Sequence, residues 1–251
     1  MIGAITGREF LARFRSPVAW AILAAVQFIA ALLFLLHLDS YLQLQDEFRR
    51  AGSGPGVTAF LVPRLFGAAA MIQLMALPLL TMNLVAGEWR DGTAQLLLSA
   101  PVTTAEIIIG KYLALLGIVA PMVLLTTAMP LSLAVATDVD GGALALAALG
   151  LFGFLAAAGA AGLYLSSLTR QPVIAAILTL ALLLGLLLLG EWARTLGGWP
   201  AALLSYPTPA AHLQTFLSGL FDTGAVAFFA LFAALFLALA TRRFDDERLQ
   251  R

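Results

Sequence analysis

The chain contains no cysteine and only two histidines in 251 residues. Lacking cysteine, it can form no disulfide, thiolate nucleophile or cysteine-ligated metal site. His37 and His212 lie singly at the edges of apolar runs, and the H-E-x-x-H pair of a zinc hydrolase is absent. So is the G-x-x-x-x-G-K-[ST] loop that cradles nucleotide phosphates. Ser218 follows His212 at a spacing that puts them on opposite sides of a helix, so no nucleophile meets its base. The sequence therefore offers no catalytic residue, no metal ligands and no cofactor site of its own. Charge is scarce as well. Only 11% of residues are charged and the formal net charge is zero, against about 25% charged in an ordinary soluble domain. Such a balance gives nucleic acid nothing to bind.

What the chain has in abundance is apolar length. Hydrophobic residues make up 61% of it, and a bilayer-crossing helix needs about 20 mostly apolar residues. Six runs qualify: 18–36, 65–87, 112–137, 141–169, 171–190 and 223–241. Each stays uncharged, avoiding the roughly 2.5–3.5 kcal/mol that one Lys or Arg costs at a helix centre. Pro121 and Pro130 are expected to bend the third run. The first run is too long for the core of a signal peptide and reads as a retained span. Six crossings put both termini on one side, together with Arg8, Arg13, Arg15, Arg90, Lys111, Arg170, Arg242, Arg243, Arg248 and Arg251. The other side holds only Arg49, Arg50, Arg64 and Arg194, so the excess orients both termini toward the cytoplasm. Two external loops are expected, a polar one over 38–64 and another over 191–222. In the second, Leu213, Phe216, Leu217 and Leu220 recur at helical spacing. That pattern fits a short helix at the membrane interface, or equally a loop packed on the bundle. The Ala158-x-x-x-Gly162 spacing allows close helix packing within the chain.

Ion-coupled carriers display ionisable residues inside their spans. Here the interiors show Gln27, Gln73, Thr81, Asn83, Thr126, Thr127, Ser132 and Thr179 instead. Such side chains tie neighbouring helices together or line a pathway. Gln27, Gln73, Asn83 and Thr126 are the pathway candidates, and the driving energy must come from elsewhere. The informative cytoplasmic stretch follows the second run. Glu88, Arg90 and Asp91 precede Gly92, which breaks the exit from the span, and Thr93 is placed to N-cap a short helix. Leu96 and Leu97 share a face of that helix, Ser99 follows, and Pro101 ends it. Thr104 is placed to cap the next span, with Glu106 in its first turn. A short amphipathic helix between two spans is shaped either to fill a partner's groove or to serve as an ordinary capped loop.

The acid, Gly92-Thr93, leucine run and Ser99-x-Pro101 resemble the coupling helix of ABC-2-type permeases. More narrowly, they resemble the branch named for gliding motility and nitrous-oxide-reductase maturation. Three weaker pieces match in order: Arg8 to Trp20, Ser166 to Gln171, and Leu204 to Asp222. The resemblance implies an all-α integral membrane fold like that of type V exporters, formed as one domain over 1–251. It would have six transmembrane helices, an N-terminal elbow helix (1–16) and a cytoplasmic coupling helix (88–105). Arg8, Phe10, Arg13, Phe14 and Arg15 would lay the elbow along the inner leaflet. The implied partners are two copies of an ABC ATPase carrying ATP and magnesium, a second or related permease, and the lipid bilayer. The implied role is the permease of an ATP-driven exporter in the cell inner membrane. A membrane anchor for a cytoplasmic ATPase or envelope complex would need the same docking helix. Asn83 stands where that branch often carries a basic residue, and Glu88 stands where it has paired acids. These departures weigh against an ionic latch at the inner mouth.

Overall fold

In hydrocarbon no water is available to satisfy backbone N–H and C=O groups, so a chain this apolar must pair them internally, and helices do so. A computed structural model describes residues 6–7, 9–11, 16–51, 55–93, 103–196 and 204–249. Its helices are α1 (Pro17–Ala51), α2 (Val57–Thr81), α3 (Ala86–Arg90), α4 (Thr104–Leu131), α5 (Gly141–Ser167), α6 (Pro172–Leu196), α7 (Pro209–Leu217) and α8 (Thr223–Leu249). A 3-10 turn at Ser132–Val135 extends α4. Residues 6–7 and 9–11 are helical too, and the described residues contain no strand. Six helical segments are long and apolar enough to cross a membrane, α2 and α3 counting as one interrupted segment. The protein is an all-α, six-span membrane protein.

Helix α5 occupies the centre because it is lined with small residues. A Cβ on Gly150 would lie 2.5 Å from Phe216 of α7, and one on Gly153 would lie 2.7 Å from Phe229 of α8. One on Gly159 would lie 2.8 Å from Leu115 of α4, and one on Gly162 2.6 Å from the Thr81 hydroxyl of α2. Four glycines thus let four neighbours approach more closely than any larger residue permits. The Ala158-x-x-x-Gly162 stripe faces inward, packing the chain against itself. Burial sorts the spans into two kinds. In α2, α4 and α5, 56% of the most apolar stretch is buried; in α1, α6 and α8 the shares are 22%, 17% and 22%.

Several boundaries differ from those the sequence led us to expect. The polar stretch 38–64 is mostly helix: α1 continues to Ala51 and α2 begins at Val57. Outside the bilayer a helix needs no apolar surface, and local pairs hold this one. Gln43 donates to Asp39 at 2.7 Å and Ser40 to the Leu36 carbonyl at 2.8 Å. Tyr41 then rests on Phe60 at 5.4 Å between ring centroids. The cap of α4 is Thr103 rather than Thr104. Its hydroxyl accepts from the Glu106 N–H while the Glu106 carboxylate accepts from the Thr103 N–H, a reciprocal capping box. The loop expected over 191–222 is shortened because α6 runs to Leu196. Helix α7 buries Leu213, Phe216 and Leu217 in the bundle, whereas Leu220 lies beyond the helix and is exposed.

Candidate functional site

The second span is interrupted just before the 88–105 segment. Helix α2 ends at Thr81, residues 82–85 turn, and α3 occupies only Ala86–Arg90. Such a break leaves backbone groups without helical partners. Ser166 of α5 supplies them: its hydroxyl accepts from the N–H groups of Val85 (3.2 Å) and Ala86 (3.1 Å) and donates to the Met82 carbonyl (2.9 Å). One hydroxyl has one hydrogen to give and two lone pairs to fill, and Ser166 uses all three.

Beyond the break, Glu88 and Trp89 reach in different directions. The Glu88 carboxylate accepts from the Lys111 ammonium of α4 at 2.6 Å, and Glu9 of the N-terminal helical stretch accepts from the same ammonium at 3.2 Å. The Lys111 side chain is only 1% exposed, and its partners 16% and 13%. A lysine is held in so dry a place only when its charge is matched and its hydrogens are engaged. The other oxygen of Glu88 is buried with no hydrogen-bond partner among the described residues. Next to Glu9, Phe10 lies over Gly117 of α4, where a Cβ would come within 2.6 Å of its ring. The N-terminal stretch is thus fixed to α4 by a charge and an aromatic ring. Despite Asn83, this end of the bundle does hold an ionic cluster; its cation is supplied by Lys111, near the start of α4.

Trp89 turns toward different neighbours. It packs on Phe244 of α8, centroids 6.1 Å apart, and the Arg170 guanidinium lies 5.4 Å above its ring. Phe244 is 1% exposed. These contacts bring the described N-terminal stretch, α3, the α5–α6 connection and the end of α8 together at one end of the bundle.

The remaining candidates divide. Arg90 and Asp91 pair with each other at 3.0 Å, both largely exposed, a contact of little energetic weight. Gly92 has φ +73°, the left-handed conformation that glycine adopts freely. The Thr93 hydroxyl lies 3.5 Å from the Glu88 carbonyl. Leu96, Leu97, Ser99 and Pro101 lie outside the described residues, as do Arg8, Arg13, Phe14 and Arg15. Three of the pathway candidates meet deep in the bundle. Gln27 donates to the Met122 carbonyl at 2.7 Å, Gln73 donates to the Thr126 hydroxyl at 2.9 Å, and Thr126 lies 3.5 Å from the Gln27 carbonyl oxygen. The triad ties α1, α2 and α4 together, and the Gln73 carbonyl oxygen has no partner among the described residues. Asn83 is not part of it: this residue sits in the α2 break, exposed.

At the opposite end a cavity of about 860 Å³ opens between the start of α2, the α4–α5 connection and the end of α7. Thr58, Asp138, Asp140 and Ser218 supply its polar lining. His212 stacks on Phe228 with centroids 4.0 Å apart, and Ser218 donates to the Thr215 carbonyl.

Six apolar spans around a glycine-lined central helix, with a polar triad inside and an ionic cluster at one end, define a multi-pass membrane protein. The chain matches the profile of the ABC-2 family transporter proteins over residues 3–249, and it belongs to that family. Members of the family are membrane transport components and not themselves enzymes. No curated protein is similar enough in sequence to count as a match.

Proposed function

We propose that this protein is the membrane-spanning permease of an ATP-driven exporter of the gliding-motility and nitrous-oxide-maturation branch, driven by a separate ABC ATPase subunit. Residues 88–105 form the coupling element, seated in a groove of the ATPase. Residues 1–16 form the elbow along the inner leaflet of the cell inner membrane, with both termini cytoplasmic. Two permease chains, or one with a related partner, enclose the pathway above two ATPase subunits that hold ATP and magnesium. The sparsely buried α1, α6 and α8 are the spans left to face a second permease.

The observation that carries this reading is the Glu88–Lys111–Glu9 cluster. It roots the cytoplasmic segment at once in the third span and the N-terminal stretch, so a pull on that segment reaches both. A buried charge anchors a joint firmly, because removing one partner strands the other in a dry site.

Docking itself is assigned to Leu96 and Leu97. Fully burying one leucine contributes roughly 1.5–3 kcal/mol, which corresponds to one to two decades of affinity. Leu97→Asp is expected to leave the permease folded and inserted but to lower its recovery with the ATPase. Glu88→Ala is expected to assemble with the ATPase yet fail to link ATP hydrolysis to transport. Co-purification and ATPase rate are measured for both. Wild-type recovery of the ATPase by Leu97→Asp would refute the docking assignment.

A further inference from the structure

The short helix α3 is gripped on two sides by neighbouring residues, and the two grips differ in kind. Successive residues of a helix point about 100° apart, so Glu88 and Trp89 necessarily address different neighbours. Glu88 holds α4 through an ammonium that is 1% exposed. Trp89 meets α8 through the Phe244 ring and Arg170 through the face of its own ring. Separating a buried ion pair exposes two charges to a poorly solvating site. A ring pair and a cation–π contact are each weaker than a buried ion pair and fall off gradually with displacement. The first joint resists displacement and the second tolerates it.

The ends of α3 are also unlike. Toward the membrane it is pinned to α5 by the three hydrogen bonds of Ser166. Toward the cytoplasmic segment it leaves through Gly92, whose left-handed backbone ends the helix. The segment beyond Gly92 therefore acts on a five-residue body with one firm side, one yielding side and a base tethered through a single hydroxyl.

We propose that α3 is a slip joint, with Trp89 as its positioning residue: α3 moves with the third span and the N-terminal stretch, and slides along the cytoplasmic end of the sixth span. This rests on the coupling role proposed above for residues 88–105. It adds the division of motion between spans, which that role leaves open, and it gives the Trp89, Phe244 and Arg170 cluster a task.

The test uses the chain's freedom from cysteine. Spin labels are placed on Asp91→Cys with Ala105→Cys, reporting α3 against the third span, and on Asp91→Cys with Asp246→Cys, reporting α3 against the sixth. All three sites are exposed. Interspin distances are measured in nanodiscs, first for the permease alone and then with its co-purified ATPase, with and without ATP and vanadate. In the permease alone, Trp89→Ala is expected to broaden the 91–246 distribution while leaving 91–105 narrow, and Trp89→Phe to restore the narrow form. In the complex, ATP with vanadate is expected to shift the 91–246 distance by several ångströms and to leave 91–105 unchanged. A shift in 91–105 would overturn the slip joint, as would a fixed 91–246 distance in a complex that hydrolyses ATP. Failure of the ATPase to co-purify would instead strike at the coupling role, and the permease-alone measurement would still judge Trp89. If Trp89→Ala left both distributions as narrow as wild type, Trp89 would have no positioning role.

Discussion

Replacing Ser166 with alanine removes one oxygen and strands three backbone groups. The N–H groups of Val85 and Ala86 lose their acceptor, and the Met82 carbonyl loses its donor. Val85, Ala86 and Ser166 are all 0% exposed, so bulk water does not reach the two vacated N–H groups, whereas Met82 is half-buried. An unsatisfied buried donor or acceptor costs about 1–3 kcal/mol when it stays dry. Hydrogen bonds between membrane helices average nearer 0.6 kcal/mol, because the chain relaxes to find other partners. At a helix break the neighbouring turns cannot supply those partners, so the loss should lie at about 2–4 kcal/mol. Unfolding in mixed micelles titrated with SDS measures it. Ser167→Ala is the control, since the Ser167 hydroxyl donates only to Tyr164 of its own helix; it should change stability by less than about 1 kcal/mol. A Ser166→Ala protein within about 0.5 kcal/mol of wild type would show that the break does not depend on this hydroxyl.

Lys111→Met leaves Glu9 and Glu88 facing each other without their shared cation and should destabilise the fold by about 3–5 kcal/mol. Glu88→Gln should cost less, because Glu9 still engages Lys111. The same SDS titration ranks the two, and the reverse order would contradict the shared-cation geometry. Gln73→Leu removes an amide whose carbonyl oxygen is buried and unpaired among the described residues, so stability should stay within about 1 kcal/mol of wild type or rise. Under the exporter role proposed above, flux into inverted vesicles then tells a pathway residue, whose loss lowers it, from a helix tie, whose loss does not. Gly150→Val pushes a branched side chain against Phe216, where a Cβ alone would come within 2.5 Å, at a cost of about 1–3 kcal/mol. It should lift α7 from the bundle and render Leu213→Cys, at a position 2% exposed, reactive to a soluble maleimide.

The spans were legible because a missing charge over 20 residues carries a large energetic meaning and needs no knowledge of neighbours. The ends of the helices were less so. Hydropathy marks where the bilayer stops, whereas α1 continues to Ala51 on local pairs such as Asp39 with Gln43. Thr103 could have been read as the cap of α4, since Thr103-x-x-Glu106 has the capping-box spacing. Of the close approaches on α5, the sequence carried only the Ala158-x-x-x-Gly162 spacing; which neighbour each glycine admits is a matter of tertiary packing. The ionic cluster was hidden for a stronger reason. Lys111 stands at the foot of a span, where a positive charge reads as a headgroup contact, and its partners lie 23 and 102 residues away. The role of Ser166 was hidden likewise: a serine in an Ala-rich helix carries no sign that a break in another helix depends on it.

The length of α1 has a mechanical consequence. At 35 residues and 1.5 Å per residue it is a rod of about 52 Å, in a membrane whose hydrocarbon is about 30 Å thick. Among the described residues its buried side chains, Val26, Gln27, Ala30, Phe34 and Tyr41, fall on one face, so the rod bears on its neighbours along a single seam. A rod held along one face moves as a rigid body with the helices that form the seam. A tilt of about 10° about one end of such a lever carries the other tip through about 9 Å. A small angular change at one end of the rod is thereby geared up into a displacement beyond the opposite face of the bilayer.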